Sequence, residues 1–221
     1  MKNTIYKTIR ERILYLEYKP GQILNEKVLA EEFKVSRSPI KEVLSRLEWD
    51  QFIRVIPRTG SMVTEIEFSR IMNVYQVRFE IESFETNLAK EKLSSAHGNQ
   101  LKTLYKDCES LLDNKDPKAL TQIDIALRNI LHDAAGNPVL ADLSDGLYSQ
   151  TFRVWFSVLA QSEYRDEVLA VLTELKKIME CIISGDKNEL VTIRRNQLLN
   201  HFERLRSKFL GTIGASTGQF F

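Results

Sequence analysis

The sequence predicts a mostly α-helical protein with an N-terminal winged helix-turn-helix and a C-terminal antiparallel bundle of six or seven helices. Three short helical patterns come first, and two β-branched runs around a Gly-containing loop follow them. From residue 70 onward every pattern has helical spacing. We therefore expect a winged helix at 1–66, a linker at 67–69, a helical domain at 70–210 and a loose tail at 211–221.

The first two helices are predicted from apolar spacing and from a capping residue. An amphipathic pattern between Ile5 and Leu16 gives the first helix. Asn25 suits the start of the second, because its side-chain oxygen accepts a backbone N–H that the helix leaves free. The predicted apolar stripe of this second helix consists of Val28, Leu29 and Phe33.

The third helix is predicted to begin after Ser36 and to have two different faces. Its apolar face consists of Ile40, Val43, Leu44 and Leu47. Its opposite face carries Arg37, Ser38, Lys41 and Ser45. Cations and small hydroxyls on one face suit a helix that lies in the major groove of DNA. An ordinary solvated helix surface is the alternative interpretation.

A hairpin is predicted from residue 52 to residue 66, with its loop at 57–61. The tip carries Arg58 and Thr59, which suits contact with a DNA backbone or minor groove. Arg58 as a plain solvated loop residue remains the alternative. The helices and the hairpin, in this order, make a winged helix.

Composition limits the remaining function classes. Hydrophobic residues form 43% of the 221-residue chain, enough for a sizeable core. No apolar run approaches the ~20 residues of a membrane span, and we expect a cytoplasmic protein. Residues 1–66 carry 12 Lys and Arg against 9 Asp and Glu, whereas the remainder is slightly acidic. This distribution favours nucleic-acid contact at the N-terminal end.

The second half is predicted to contain helices at 70–92, 98–113, 117–135, 137–160, 165–183 and 187–210. The helix at 70–92 is apolar on two sides, so it has two partners to pack against, and a homodimer is expected. One predicted stripe consists of Ile71, Val74, Val77, Ile81, Phe84 and Leu88. The second consists of Tyr75 and Phe79.

The motif Pro20-Gly21, the run Val35-Ser36-Arg37-Ser38-Pro39-Ile40-Lys41 and the segment Pro57-Arg58-Thr59-Gly60 resemble the DNA-binding domain of GntR-family bacterial transcription regulators. The resemblance implies an operator-facing set of Lys27, Ser36, Arg37, Ser38 and Lys41, to which we add Ser45, Arg58, Thr59 and Gly60. Family members more often carry arginine at positions 27 and 41. Lysine keeps the charge but loses the bidentate fork, so Arg37 is expected to read bases.

Residues from Arg78 and Glu82 to Gly185-Asp186 resemble the helical ligand-binding domain called FCD, of the FadR subgroup. Many members of that group hold a divalent metal with one Asp and three His. Asp124 matches the Asp, but Arg128, Leu175 and Gln197 stand at the His positions, so no metal cofactor is expected. A relocated site that uses Asp124, His132 and His201 is the alternative to ordinary histidines.

The missing metal suggests how an effector is bound. Arg128 supplies a positive charge whose planar fork suits a carboxylate or phosphate, and Asp124 would hold it in place. Arg153 and Gln197 complete the predicted effector set. A buried Asp124–Arg128 ion pair without a ligand role is the alternative.

The predicted function is a ligand-responsive transcriptional repressor. A homodimer would bind a palindromic operator on double-stranded DNA and would be released by a small organic anion, which we expect to be a carboxylate. The alternative is a DNA-binding dimer whose helical domain has lost its effector response. An enzyme is not expected, since the sequence shows no nucleophile–base set and no Gly-rich phosphate loop.

Overall fold

The computed structural model describes the backbone of residues 1–161 and 164–214, and the side chains of 1–159 and 164–208. The chain divides into two compact units. The first consists of Met1–Met72 with Tyr148–Arg153, and the second of Asn73–Leu147 with Val154–Phe221.

The first unit contains three helices and a small antiparallel sheet. Its elements are α1 (Lys2–Leu14), β1 (Ile23–Leu24), α2 (Glu26–Glu32), α3 (Arg37–Trp49), β2 (Ile53–Ile56) and β3 (Gly60–Val63). The strand order is β1-β3-β2, so β3 lies in the middle. The predicted winged helix-turn-helix is therefore present, with a third strand that the sequence did not predict. Two residues are too few to show an alternating pattern, which explains why β1 was missed.

Helix α2 begins as predicted but packs differently. The side-chain oxygen of Asn25 accepts the backbone N–H groups of Lys27 and Val28, at 2.8 and 3.3 Å. Leu29 and Ala30 are buried, whereas Val28 is 59% exposed, so its assignment to the apolar stripe was wrong. Successive helical residues point about 100° apart, and a helix this short buries only a narrow face.

The second half of the chain is helical, with α4 (Phe68–Lys90), α5 (Ser95–Ser110), α6 (Pro117–Ala135), α7 (Pro138–Gln161), α8 (Tyr164–Ser184) and α9 (Leu190–Gly214). Helix α5 packs against α6 and α8, and α8 also packs against α9. None of the helices in the described ranges is long and apolar enough to cross a membrane. Helix α9 continues four residues into the segment predicted as a loose tail. The rest of that prediction falls on 215–221, outside the described residues.

Helix α5 starts three residues earlier than predicted because His97 acts as a capping residue. Its ring Nδ1 accepts the backbone N–H of Ser94 at 3.0 Å, and the side chain of Ser94 caps in return. The pairing resembles the reciprocal capping box that usually has Glu or Gln in this place. The helix predicted at 98–113 left His97 just outside it, between two helices.

Ile71 and Val74 of the predicted α4 stripe are buried as predicted, but the second half of the helix buries its polar face instead. Val77 and Phe84 are 47% and 53% exposed. The buried side chains of its second half are Arg78, Glu82, Glu85, Thr86 and Ala89. Charged side chains tolerate burial only when they are paired, and the pairing is described below.

Candidate nucleic-acid interface and buried ion network

Helix α3 presents one exposed polar face. Its inner residues are buried as predicted, and Ile40 and Leu47 are fully so. Its exposed residues include Arg37, Ser38, Lys41 and Ser45. These four side chains form no hydrogen bond or ion pair in the part of the chain that the structure describes. Their cations and hydroxyls are therefore available to an outside partner.

Contacts between α1 and α3 hold that face in position. The guanidinium of Arg46 lies 3.9 Å from the centroid of the Tyr6 ring. The Tyr6 hydroxyl donates to the carboxylate of Asp50 at 2.5 Å. Burial and this hydrogen bond raise the pKa of Tyr6 to about 12. Arg46 thus contacts a side chain of its own unit, whereas Arg37 and Lys41 form no hydrogen bond or ion pair in the described part of the chain.

Two further predicted residues lie at helix starts. Lys27 is exposed on α2, with its Nζ 3.9 Å from Glu31. An exposed ion pair of this length contributes little to stability, so Lys27 remains available to an anion. Ser36 is exposed at the N-cap position of α3, and its side chain makes no capping hydrogen bond.

The wing tip has an unusual backbone. Arg58 and Thr59 are exposed, and the Thr59 N–H donates to the Ile56 carbonyl at 3.1 Å. Arg58 has a φ of 66°, a left-handed conformation that costs a non-glycine residue roughly 1–2 kcal/mol. Gly60 has a φ of 134°, and a Cβ there would lie 3.2 Å from the Leu24 carbonyl oxygen. Gly60 therefore serves the β1–β3 pairing, while Arg58 and Thr59 form the accessible surface.

In the second unit, three guanidiniums converge on the carboxylate of Glu82. Arg78 donates to Glu82 at 2.7 Å, Arg128 lies at 3.1 Å and Arg194 at 3.3 Å. Arg194 also pairs with Glu174. Burial alone would raise the pKa of Glu82, but the three guanidiniums lower it to about 2. The network joins α4, α6, α8 and α9.

Arg128 and His132 share a second carboxylate on α7. The Arg128 guanidinium donates to the hydroxyl of Ser144 at 2.8 Å and lies 3.5 Å from Asp145. His132 lies between Glu85 and Asp145, and its Nε2 is 3.1 Å from Asp145. Arg128 and His132 are buried, whereas the Asp145 side chain is 56% exposed. Asp145 therefore covers two buried cations from the solvent side.

The four predicted effector residues have different surroundings. Asp124 is half-buried, and its charge raises the pKa of both Glu174 and Arg194, which places it beside that pair. Gln197 lines a groove of about 320 Å³ that is formed by residues of α8 and α9. Arg153 belongs to the first unit, whereas Arg128 belongs to the second. The carboxylate that holds Arg128 is Glu82, which the sequence analysis did not select for the site.

Apart from the Glu82 network, the buried carboxylate of Glu167 on α8 contacts residues of α7 and α9. Trp155 Nε1 donates to it at 3.3 Å, and Arg204 Nε donates at 2.8 Å. His201 Nδ1 lies 3.5 Å from the same carboxylate. Burial raises the pKa of Glu167, but His201 and Arg204 outweigh that effect and lower it well below its usual range.

The histidines thus occupy separate clusters. His132 lies with Glu85 and Asp145, and His201 lies with Glu167. Among the described residues there is no group of three or more His, Cys, Asp or Glu side chains arranged to hold a metal ion.

Two families match the sequence. Residues 1–63 match the bacterial regulatory proteins of the gntR family, and residues 73–203 match the FCD domain. The matching families and relatives are transcriptional regulators rather than enzymes, as the sequence analysis expected.

Individual relatives agree with these families. The HTH-type transcriptional regulator YdhC of Bacillus subtilis is 25% identical over 62% of this chain and 62% of its own length. The HTH-type transcriptional repressor RspR of Escherichia coli is 25% identical over 68% of this chain and 66% of its own length. These matches therefore span slightly less than two thirds of the two relatives. The solved structure of E. coli McbR/YncC has the same fold, with a TM-score of 0.83, 17% identity, and coverage of 94% of this chain and 98% of that chain.

The environment of His132 predicts a loss of stability at alkaline pH. Burial lowers the pKa of His132, but hydrogen bonds to Asp145 and Glu85 raise it to about 9, above its ordinary 6.5. The protonated ring therefore stabilises the fold fully below about pH 6.5, and this contribution is lost as the pH rises through about 9. The melting temperature of the wild type should fall across this range, and His132→Gln should flatten that decline. His97→Gln, a histidine outside the network, should keep the wild-type slope; equal slopes in all three proteins would contradict the assignment.

Proposed function

Because the chain belongs to the GntR family of bacterial regulatory proteins and carries an FCD domain, we propose that it is a ligand-responsive transcriptional repressor. It binds operator DNA as a homodimer in the bacterial cytoplasm and is released by a small organic anion. The relative RspR of Escherichia coli is a transcriptional repressor, which supports repression as the sign of regulation. The observation that carries the proposal is the exposed, unpaired cationic face of α3.

In the proposed complex, α3 lies in the major groove and the wing tip contacts the backbone. Arg37 donates two parallel hydrogen bonds to a guanine, while Lys27 and Lys41 neutralise phosphates as point charges. Ser36, Ser38 and Ser45 are small enough to let the helix approach the bases closely. The strained backbone at Arg58 fits a contact residue, because strain of this kind is concentrated at functional sites. Two such faces in a symmetric dimer read the two halves of a palindrome.

Single substitutions on α3 should separate base reading from phosphate contact. Arg37→Ala should weaken binding to an operator selected from a random duplex library by roughly 5- to 150-fold, since a base contact is worth about 1–3 kcal/mol. It should also relax the preference at one base pair. Lys41→Ala should weaken binding to all duplexes alike and reduce the salt slope by about one.

Fluorescence anisotropy at several salt concentrations measures both effects. Lys102→Ala removes an exposed lysine of α5 and should leave operator binding unchanged. An Arg37→Ala protein with wild-type affinity and wild-type base preference would rule out the proposed recognition mode.

Dimerisation is supported by exposed apolar side chains on two helices of the second unit. Val77 and Phe84 project from α4, and Val139 and Leu143 from α7, with Val139 77% exposed. Exposed apolar side chains that share one helix face, as Val77 and Phe84 do on α4 and Val139 and Leu143 do on α7, are typical of an interface. A second copy of the chain is the proposed occupant, because a palindromic operator requires a two-fold partner.

Replacing Phe84 with Glu should convert the dimer to a monomer, since it places a charge in the buried centre of the interface. Size-exclusion chromatography with light scattering gives the molar mass, and operator affinity should fall with it. The control is Ile183→Glu, which changes an isoleucine of α8 that is 85% exposed and should remain dimeric. A Phe84→Glu protein that stays dimeric would contradict this interface.

The proposed effector site consists of Arg128 and His132 beneath Asp145. Arg128 is 3% exposed and already tied to Glu82 and Ser144, so an anion cannot replace those contacts cheaply. Its 3.5 Å contact with the exposed Asp145 is the longest of the three. A carboxylate that displaces Asp145 would keep the charges of Arg128 and His132 balanced. No metal is needed for this exchange, because two protein cations face the incoming anion.

Small carboxylates should weaken operator binding through Arg128. A panel of mono-, di- and tricarboxylates is tested by gel shift, and the response should persist equally in EDTA and in added Zn²⁺. Arg128→Lys keeps the charge but loses the fork, and should reduce the response by about tenfold or more. Arg165→Lys on the surface of α8 is the matched control and should respond normally. A response that requires Zn²⁺ would contradict metal-free binding.

The mutual charge pairing within the Glu82 network favours a second candidate function. If the helical unit only holds the dimer together, its buried charges need no ligand. Operator binding that is tight and indifferent to the whole carboxylate panel would support this dimerisation role over the effector role.

A further inference from the structure

The first unit contains a cavity of about 300 Å³ beside the hairpin. All of its lining residues belong to this unit, which includes the short segment 148–153 of α7. Phe52, Ile53 and Ile71 contribute apolar wall, and Arg153 lines the cavity with them. Its volume is at the lower end of the range for small-molecule sites.

Among the described residues, Arg153 is a buried cation without a direct ionic partner. It is 7% exposed, and its two terminal nitrogens donate to the carbonyl and hydroxyl oxygens of Thr64, at 2.6 and 3.0 Å. Both acceptors are neutral. Within the described residues no carboxylate lies within ion-pair distance of Arg153, and its Nε has no hydrogen-bond partner. Burial lowers the pKa of Arg153 to about 10, which reflects the cost of an unneutralised charge withdrawn from water.

The charged side chains that line the cavity determine which charge its occupant should carry. Arg54 and Arg70 are exposed residues of the lining, and neither forms an ion pair within the described residues. Four carboxylates also line the cavity. Glu48 accepts the Val55 N–H at 2.7 Å, and Asp50 accepts the Tyr6 hydroxyl.

The other two carboxylates, Glu65 and Glu67, are exposed and therefore solvated. The charge of Glu65 raises the pKa of Arg153 but only partly offsets the effect of burial. Among the described lining residues, Arg153 is thus the charged group that is buried and lacks a counter-ion. Because Arg153 is a cation, the partner that would neutralise it is an anion.

We propose that this cavity is a second anion site, which takes a small carboxylate or phosphate against Arg153 with Arg54 and Arg70 at its rim. The site is distinct from the proposed effector site at Arg128. A DNA phosphate does not fit, because a duplex backbone cannot reach a side chain as deeply buried as Arg153. The bound anion would contact β2 through Arg54, α7 through Arg153 and the start of α4 through Arg70. Arg153 also donates to Thr64 in the segment after β3, so the anion would tie the hairpin to both helices.

Isothermal titration of the full-length protein tests the proposal at matched ionic strength in chloride. Inorganic phosphate, acetate, succinate and citrate are the probes, so the phosphate and carboxylate arms are separated. The wild type should bind one anion per chain through this site. Arg153→Gln should weaken that binding by at least about tenfold, since hydrogen bonds to charged groups are strong. Arg54→Gln, an exposed change that leaves the fold alone, should weaken it severalfold.

Two controls isolate this site from the rest of the molecule. Arg206→Gln removes an exposed guanidinium that pairs with Glu203, and it should bind like the wild type. Arg128→Lys should leave phosphate and carboxylate binding at this cavity unchanged, whatever it does to carboxylate binding at the proposed effector site. Binding that disappears in Arg128→Lys but not in Arg153→Gln would overturn the second site and leave the proposed effector site standing.

The proposal also fails if the wild type binds none of the four anions in the millimolar range. If Arg153→Gln does not fold, the anion affinity of Arg54→Gln alone tests the proposed site. Wild-type affinity in Arg54→Gln would then overturn the site.

Discussion

The convergence of three guanidiniums on one buried carboxylate is the interaction on which the helical unit depends. Glu82 lies on α4, and its partners Arg78, Arg128 and Arg194 come from α4, α6 and α9. Removing one member of such a set leaves buried charges unpaired, which typically costs about 3–5 kcal/mol. A metal ion could join helices in a similar way through ligands from several of them. In this chain the guanidinium of Arg128 stands where the family resemblance implies a histidine, and charge pairing joins the helices.

This network also explains why α4 is turned the other way from the prediction. A stripe of Val77, Ile81, Phe84 and Leu88 reads as the core side when a helix is considered alone. The buried face instead contains Arg78, Glu82 and Glu85, because each of these charges meets a partner on another helix. Val77 and Phe84 of that stripe are then left exposed, where they support the proposed contact with a second copy. Polar burial and apolar exposure on α4 therefore have one common cause.

The N-terminal fold could be predicted almost completely from the sequence, whereas the effector residues could not. Local signals determine a winged helix: Asn25 and Ser36 precede helices, and the apolar spacing of α3 is regular. Grouping Asp124, Arg128, Arg153 and Gln197 required knowledge of which helices pack together. Spacing along one helix does not contain that information. A usable signal for Glu82 was present, since Arg78 and Glu82 are four residues apart and lie at the same helical spacing as Tyr75 and Ala89.

Charged residues with a structural role and those with a proposed binding role differ in whether the charge is paired and whether it is solvated. Arg37 and Lys41 are unpaired but solvated, so their charges cost little and are free to exchange counter-ions for phosphates. Arg78 and Arg194 are buried and paired with carboxylates, so their charges are already neutralised within the fold. Arg153 is buried and lacks an ionic partner within the described residues, which is the costly combination. A fold that maintains such a charge must recover that cost elsewhere or bind an anion, and the cavity beside Arg153 provides the space for one.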